Sequence, residues 1–303
     1  MQTNHVNGTD IDVSRLCLGT MTFGTPVAEK EAVALVHWAL DQGINFIDTA
    51  DIYEGYTRFL GSPGGVAESI LGVALQGRRE QAILTTKVGN AVGDGTYAGS
   101  GLGANHMHHQ ICASLQRMRT DYVDFFELHK ADPDTPLEES ISTMVDLMKE
   151  GKVRHWGFSN FDAAQVRQML QICDDNGWPR PVIAQPLYNW IERGCEEGYL
   201  PLCHANGIAI TPYQPLQGGL LTCKYREGDA PPLGSRAVEH PQWVKMTEGV
   251  QGPLDAFLAE SQKAGMAPTQ YALRWLLDAP GITSVVAGVK SIEQLRMLLV
   301  AVP

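Results

Sequence analysis

Eight short runs rich in β-branched and aromatic residues recur along the chain, and this recurrence constrains the fold more than any other feature. They read "RLCLGT" (15–20), "NFIDTA" (45–50), "AILTTK" (82–87), "VDFFELH" (123–129), "VRHWGFSN" (153–160), "VIAQPLYN" (182–189), "IAITPYQP" (208–215) and "TSVVAGV" (283–289). Between them, segments 29–42, 66–76, 104–119 and 269–278 space apolar residues three and four apart, the period of a helix with one buried face. Strands alternating with helices through eight units predict an α/β fold of the (β/α)8 TIM-barrel type, with residues 1–303 forming a single domain. A doubly wound open sheet is the alternative, because strand order is not written in a sequence. Two features disfavour it. The first strand–helix turn, "LGTMTFGTPVAEKE", lacks a GxGxxG fingerprint, and no ninth strand follows the eighth.

Helix starts carry their own signals. Thr135, Pro136 and Glu138 read as an N-cap, a first-turn proline and a capping-box acid. Asp162 with Gln165, and Ser291 with Gln294, repeat the capping-box spacing. Glycines in "DQGINF" and "ANGIAI" stand where a helix ends and the next strand begins. Irregular sequence collects after strands, at 51–65, 88–103 and 216–252. In a barrel these are βα loops on the C-terminal face, where substrates bind.

A formal net charge of −11 argues against a general affinity for nucleic acid or an anionic membrane, though not against a local pocket for an anionic cofactor. Six cysteines without CxxC spacing read as reduced thiols of a cytoplasmic protein. No apolar run reaches membrane-spanning length, and the N-terminus lacks the pattern of a secretory signal. The expected partner is a small molecule, and a homo-oligomer is compatible with the sequence.

Three carboxylates fall within seven residues of "NFIDTADIYEG": Asp48, Asp51 and Glu54, with Tyr53 among them. Residue types alone leave open a metal site, an acid/base pair or the polar end of a strand. In a barrel, polar side chains at the C-terminal ends of strands draw first attention, and Lys87 is the odd one. An ammonium closing the apolar run "AILTT" must be desolvated unless it meets a carboxylate, and Asp48 on the neighbouring strand is the nearest partner. Asp48 and Lys87 could equally be a structural ion pair, and His129 a satisfied core histidine. "HMHH" (106–109) invites a metal reading, but it lies at a helix start without an acid or cysteine at ligand spacing, so no metal is expected. The glycine-rich 88–103 lacks the lysine-serine ending of a P-loop.

At these positions the chain resembles the aldo-keto reductase family. The likeness runs from "RLCLGTMTFG" through "GINFIDTADIYEG", "TTKVG", "DYVDFFELHKAD", "GKVRHWGFSNF", "IAQPLYN" and "TPYQPLQGGLLTCKY" to "GVKSIEQL", in order and at barrel spacing. The resemblance implies a catalytic tetrad at Asp48, Tyr53, Lys87 and His129. Its chemistry would be NADP-dependent interconversion of a carbonyl and an alcohol, acting on aldehydes, ketones or sugars. Tyr53 would then be the general acid/base, with Lys87 lowering its pKa, Asp48 holding Lys87, and His129 directing the carbonyl. Asp51 is expected to organise the strand-to-loop turn and Glu54 to face solvent.

The resemblance also implies cofactor contacts. Ser159, Asn160 and Gln185 would hold a nicotinamide carboxamide, with Tyr213 stacked on the ring. Gln214, Leu216, Gly218 and Lys224 would line the pyrophosphate, and Gly288, Lys290 and Gln294 the adenosine end. Lys290 and Arg236 would neutralise a 2′-phosphate, favouring NADPH over NADH. Two departures stand out: Met297 and Leu298 occupy positions where the family usually has an acid and an asparagine, and the chain stops at Pro303 just past the last helix. Substrate contacts then fall to loops 51–65 and 88–103 and the segment near 190–194. Tyr56 and Trp190 are candidates for a pocket wall or for ordinary packing, and Trp156 for the core. The family also includes channel β-subunits, so a cofactor-bound regulatory subunit is the alternative role.

Overall fold

The chain opens with an element that the alternation does not announce. Strands β1 (Thr3–His5) and β2 (Asp12–Ser14) form an antiparallel hairpin. Its turn contains Asn7-Gly8, with Gly8 at φ +77°, the dipeptide that favours a tight reversal. The computed structural model describes residues 1–59, 61–93, 99–225, 230–239 and 249–302. Parts of the three long loops (60, 94–98, 226–229 and 240–248) and the terminal Pro303 lie outside the described residues.

After the hairpin the alternation unfolds as expected. The order is β3 (Leu16–Gly19), α1 (Glu29–Asp41), β4 (Phe46–Asp48), α2 (Val66–Ala74), β5 (Ile83–Val88), α3 (Ala104–Met118) and β6 (Val123–Leu128). It continues with α4 (Leu137–Lys149), β7 (Val153–Ser159), α5 (Ala163–Asn176), β8 (Ile183–Gln185), α6 (Tyr199–Ala205) and β9 (Ala209–Ile210). The last elements are α7 (Arg236–Glu239), α8 (Gln251–Lys263), α9 (Pro268–Asp278), β10 (Val285–Gly288) and α10 (Ile292–Leu299). Strands β3 to β10 pair in parallel in the order β10-β3-β4-β5-β6-β7-β8-β9. The two ends of that sheet meet: Thr283 N–H donates to Ile210 O at 2.8 Å and Val286 N–H to Pro212 O at 2.9 Å. The fold is therefore a (β/α)8 barrel, and the open-sheet alternative falls.

Strands β8 and β9 are shorter than their sequence runs. Pro186 and Pro212 stand just beyond them, and a proline has no N–H to continue a ladder. A bridge between Leu187 and Tyr213 carries the pairing one step further. The capping box of α5 is complete, with Asp162 accepting from Gln165 N–H. Ser291 caps α10, but the Gln294 side chain turns back one residue further, accepting from Lys290 N–H at 2.8 Å. The expected cap at Thr135 is shifted. Pro136 occupies the cap position of α4, and Thr135 donates to Asp132 Oδ2 instead, at 2.6 Å. Gly43 and Gly207 take φ values of +81° and +68° after their helices, as their placement predicts.

The hairpin plugs the N-terminal end of the barrel. Val6, Ile11 and Val13 bury against Cys17, Phe46, Phe125, Ile183, Ala209 and Val286. Full burial of each large apolar side chain contributes about 1.5–3 kcal/mol, so this floor is a sizeable part of the core. Residue alternation then lifts the same inward face towards the C-terminal end. From Phe46 it reaches Asp48, from Ile83 it passes Thr85 to Lys87, and from Phe125 it passes Glu127 to His129. Outside the strands, α2 and α3 approach so closely that a Cβ on Gly72 would stand 2.2 Å from the Arg117 carbonyl oxygen. Gly72→Ala should therefore destabilise the protein by about 1–3 kcal/mol in chemical denaturation, despite the better helix propensity of alanine. Among the described residues, no helix is long and apolar enough to cross a membrane.

Candidate active site

Three strand ends place the residues of the predicted tetrad together: β4 carries Asp48 and leads into Tyr53, β5 carries Lys87, and β6 leads into His129. Lys87 closes β5 with its side chain wholly buried, and its Nζ donates to Asp48 Oδ1 at 2.5 Å and to the Thr49 carbonyl at 2.9 Å. The same ammonium lies 3.5 Å from Tyr53 Oη and 5.0 Å from the centre of its ring. Asp48 Oδ1 also accepts from Gln185 Nε2 at 2.8 Å. The His129 ring meets Tyr53 edge-on, with centroids 5.9 Å apart. Desolvation of Lys87 opposes its charge, but Asp48, Tyr53 and Glu127 outweigh it and hold the ammonium above its ordinary pKa.

The tyrosine departs from expectation in one respect. Burial pushes the Tyr53 phenol up to about 12, with Lys87 pulling against that rise and Asp48 reinforcing it. The nearby ammonium thus limits the upward shift without reversing it. Tyr53 is a neutral phenol across the physiological range, a proton donor at rest. His129 is neutral as well: burial, then Lys87, Lys130 and Arg58, hold its imidazole well below the usual value. Its Nδ1 is buried without a protein partner.

The remaining acids of the opening cluster separate. Asp51 is buried with neither carboxylate oxygen hydrogen-bonded, and burial with nearby Glu68 raises its pKa well above normal, against Arg117 and Arg58. Its backbone N–H bonds to the Lys87 carbonyl at 3.3 Å, which ties the turn to β5. Glu54 does not simply face solvent. It is half-buried and accepts from Ser62 Oγ, holding loop 51–65 to itself.

The expected cofactor residues line the same C-terminal rim. Ser159 Oγ donates to the Gln185 carbonyl at 2.7 Å. Asn160, at φ +59°, donates to the His129 carbonyl at 2.8 Å and accepts from Tyr213 Oη at 2.8 Å. Gln185 is turned inward onto Asp48. Gln214 also has positive φ, +57°, and its carbonyl accepts from Asn189 Nδ2 at 3.0 Å. Leu216 starts a short 3-10 segment in which Gly218 and Gly219 have φ of +61° and +101°. A Cβ on Gly219 would come within 3.3 Å of Lys224 Nζ, so glycine leaves the room beside that cation.

Gly288 ends β10 next to Gly19 on β3. Lys290 and Arg236 converge on one ring: Nζ of the first and the guanidinium of the second lie 5.2 and 5.5 Å from the centre of Tyr56. Lys290 also donates to the Gly234 carbonyl at 2.9 Å and forms an ion pair with Glu239. Tyr56 is thus a prop for the basic pair, and Trp190 packs on Phe257 of α8 at 5.4 Å. Trp156 is wholly buried, donating to the Pro179 carbonyl at 2.9 Å. "HMHH" forms the first turns of α3, with His108 3.9 Å from Glu150.

Three features escaped the sequence reading. Glu127 is fully buried inside the barrel. Glu68 is fully buried and bonded by Arg117 and Thr86, at 2.6 and 2.5 Å. Arg58 ties the two flanking loops, donating to the Ile52 carbonyl at 3.1 Å and to that of Ala91 at 2.5 Å. For Glu127 a signal was present: it lies two residues before His129 and therefore shares its inward face.

Known proteins resemble this chain over nearly all of its length. The sequence profile of the aldo/keto reductase family matches residues 15–302. An uncharacterized oxidoreductase, YrpG of Bacillus subtilis, is 32% identical over all of this chain and 91% of its own length. A probable voltage-gated potassium channel subunit beta of Arabidopsis thaliana is 29% identical, over 100% of this chain and 91% of its own. Protein tas of Escherichia coli is 28% identical over 98% of this chain and 91% of its own. A profile that spans the whole barrel, on a chain whose strand ends converge in this way, leaves one assignment: the chain belongs to the aldo/keto reductase family.

Proposed function

We propose that this chain is a single-domain NADP-dependent oxidoreductase that interconverts an aldehyde, ketone or sugar carbonyl with its alcohol. The observation that carries the reading is a neutral phenol, Tyr53, whose oxygen lies 3.5 Å from an ammonium locked in place by Asp48. Reduction requires a proton at the carbonyl oxygen as hydride reaches carbon, and a buried phenol supplies one without exposing an alkoxide to full charge. Lys87 lies where negative charge develops on the phenol, so the ion pair stabilises the product of proton transfer more than the resting state. Asp48 keeps Lys87 charged and fixes its direction. Neutral His129, edge-on to Tyr53, donates a hydrogen bond that orients the carbonyl oxygen. In the oxidative direction Tyr53 accepts the alcohol proton through the same contacts.

The rim residues fit a nicotinamide dinucleotide. The Lys224 ammonium packed close beside Gly219 suits a phosphate, and the hydroxyl and amide side chains of Ser159 and Asn160 suit a carboxamide. When bound, the cofactor supplies the hydride. Gln185 bridges that rim to Asp48, and Tyr213 offers its ring to the nicotinamide face. Gln214, Leu216 and Gly218 border the phosphates, while Gly288, Lys290 and Gln294 with Arg236 receive the adenosine end. Lys290 and Arg236 together favour a 2′-phosphate, and hence NADPH, although Glu239 must yield Lys290 to it. A cytoplasmic location accords with this chemistry.

A second reading rests on the relative named as a potassium channel subunit beta: a cofactor-bound regulatory subunit with weak turnover. A panel of aldehydes, ketones and sugars, assayed with NADPH and NADH in both directions, separates the two. Carbonyl-dependent oxidation of NADPH, faster than that of NADH, is the expected result. Tight NADPH binding without turnover across the panel would sink the enzyme reading in favour of the regulatory one.

A further inference from the structure

Glu127 has no part in the tetrad, yet it is built into the wall beneath it. It lies on β6 opposite Lys87 of β5 in the strand ladder, is wholly buried, and has no hydrogen-bond partner on either carboxylate oxygen. An ionised carboxylate in that position carries a penalty of several kcal/mol unless it is paired. The barrel interior offers two carboxyl groups, Asp48 and Glu127, and one ammonium between them. Hydrogen-bond geometry assigns that ammonium to Asp48, at 2.5 Å. Charge balance then leaves a proton on Glu127.

We propose that Glu127 is a positioning residue that holds a proton in the resting site, and that its ionisation shuts down carbonyl reduction at alkaline pH. The proposal rests on Tyr53 as the acid of that reaction. Proton donation makes Tyr53 a phenolate, whose charge Lys87 must stabilise. A second carboxylate across the ladder competes for the same ammonium and opposes the phenolate directly, so ionised Glu127 slows the step.

The groups that face Glu127 come from several elements. Those that feel its charge are Cys17 on β3, Asp48 on β4, Tyr53 beyond it, Lys87 on β5 and Tyr199 on α6, while His129, two residues on along the same strand, shares its inward parity. Burial keeps the Cys17 thiol and the Tyr199 phenol protonated well beyond their ordinary values, and Tyr53 to about 12. Lys87 stays charged and His129 neutral. Burial lifts Glu127 to about 8, with Lys87 opposing and Asp48 adding to the rise. It is thus the member of this ring that titrates just above neutrality.

Infrared difference spectra of the full-length protein and its Glu127→Gln variant, between about pH 6 and pH 10, test the proton directly. Asp51 is a second buried carboxyl group with a raised pKa, so the signal is the wild-type spectrum minus that of Glu127→Gln. This difference should hold a buried carboxylic-acid carbonyl band at neutral pH that vanishes with a midpoint near 8. In parallel, kcat for reduction should fall by about tenfold in wild type between pH 7 and pH 9.5, and by less than about threefold in Glu127→Gln. Glu127→Asp, which keeps a titrating carboxyl, should retain the fall. A difference lacking the band at neutral pH, or a Glu127→Gln profile that superposes on wild type, overturns the proposal. The band present without turnover in any variant would instead overturn the reading of Tyr53 as a working acid, while supporting the buried proton.

Discussion

Tyr53→Phe should lower kcat for carbonyl reduction by about 10²–10⁴-fold, the range expected for losing a positioned acid, while the dissociation constant for NADPH stays within about threefold. The substitution removes one oxygen atom and keeps the ring that packs beside His129 and under Lys87. Its cost in stability should be small, because the phenol's link to Lys87 is long at 3.5 Å and Lys87 retains Asp48 and the Thr49 carbonyl. The expected split is therefore sharp: chemistry lost, fold and cofactor affinity kept. Fluorescence titration with NADPH and single-turnover kinetics read the two halves separately. Turnover within tenfold of wild type would end the assignment of Tyr53 as acid. The phenol, held at about 12, should not itself produce an inflection in the reduction profile near neutrality. An alkaline fall near pH 8 would therefore have to come from another group.

The parts of this fold visible in the sequence are those that repeat. Short β-branched and aromatic runs predict each barrel strand, because a parallel strand buried on both faces must be apolar almost throughout, and apolar spacing of three and four predicts the helices between them. Lys87 stood out for the same reason, as a cation at the end of such a run. The hairpin β1–β2 was missed because its strands are three residues long and almost wholly polar, although Asn7-Gly8 is a turn signal. Glu127 was missed for a physical reason of its own. An acid inside "DFFELH" reads as the polar edge of a strand, and only the parity shared with Phe125 and His129 shows that it points inward. The sign of the net Tyr53 shift was also beyond reach. It depends on how burial compares with the pull of Lys87, and burial is a property of the whole barrel. Nor could the sequence tell that Lys290 would meet Glu239 as well as a prospective phosphate.

Lys87→Met should abolish turnover and also destabilise the protein, by about 3–5 kcal/mol, because it strands Asp48 in the barrel without its cation. The stability loss follows from geometry: Asp48 is 2% exposed, and among the described residues the only other hydrogen bond to its carboxylate runs from Gln185 Nε2. The double variant Asp48→Asn, Lys87→Met should recover most of that stability. An asparagine keeps an oxygen for Gln185 and brings no charge, so the desolvation penalty disappears together with the attraction that offset it. A coupling of about 2 kcal/mol or more between the two substitutions is the expected outcome of the cycle, measured by urea unfolding. Turnover should stay abolished in the double variant, since Tyr53 then gives up its proton with no ammonium beside it. The two readouts thus move apart, with stability restored and catalysis not. If the double variant were as unstable as Lys87→Met alone, packing of the lysine stem would matter more than its charge. If it regained turnover, the ion pair would be scaffolding, and Tyr53 would draw its acidity from elsewhere in the site.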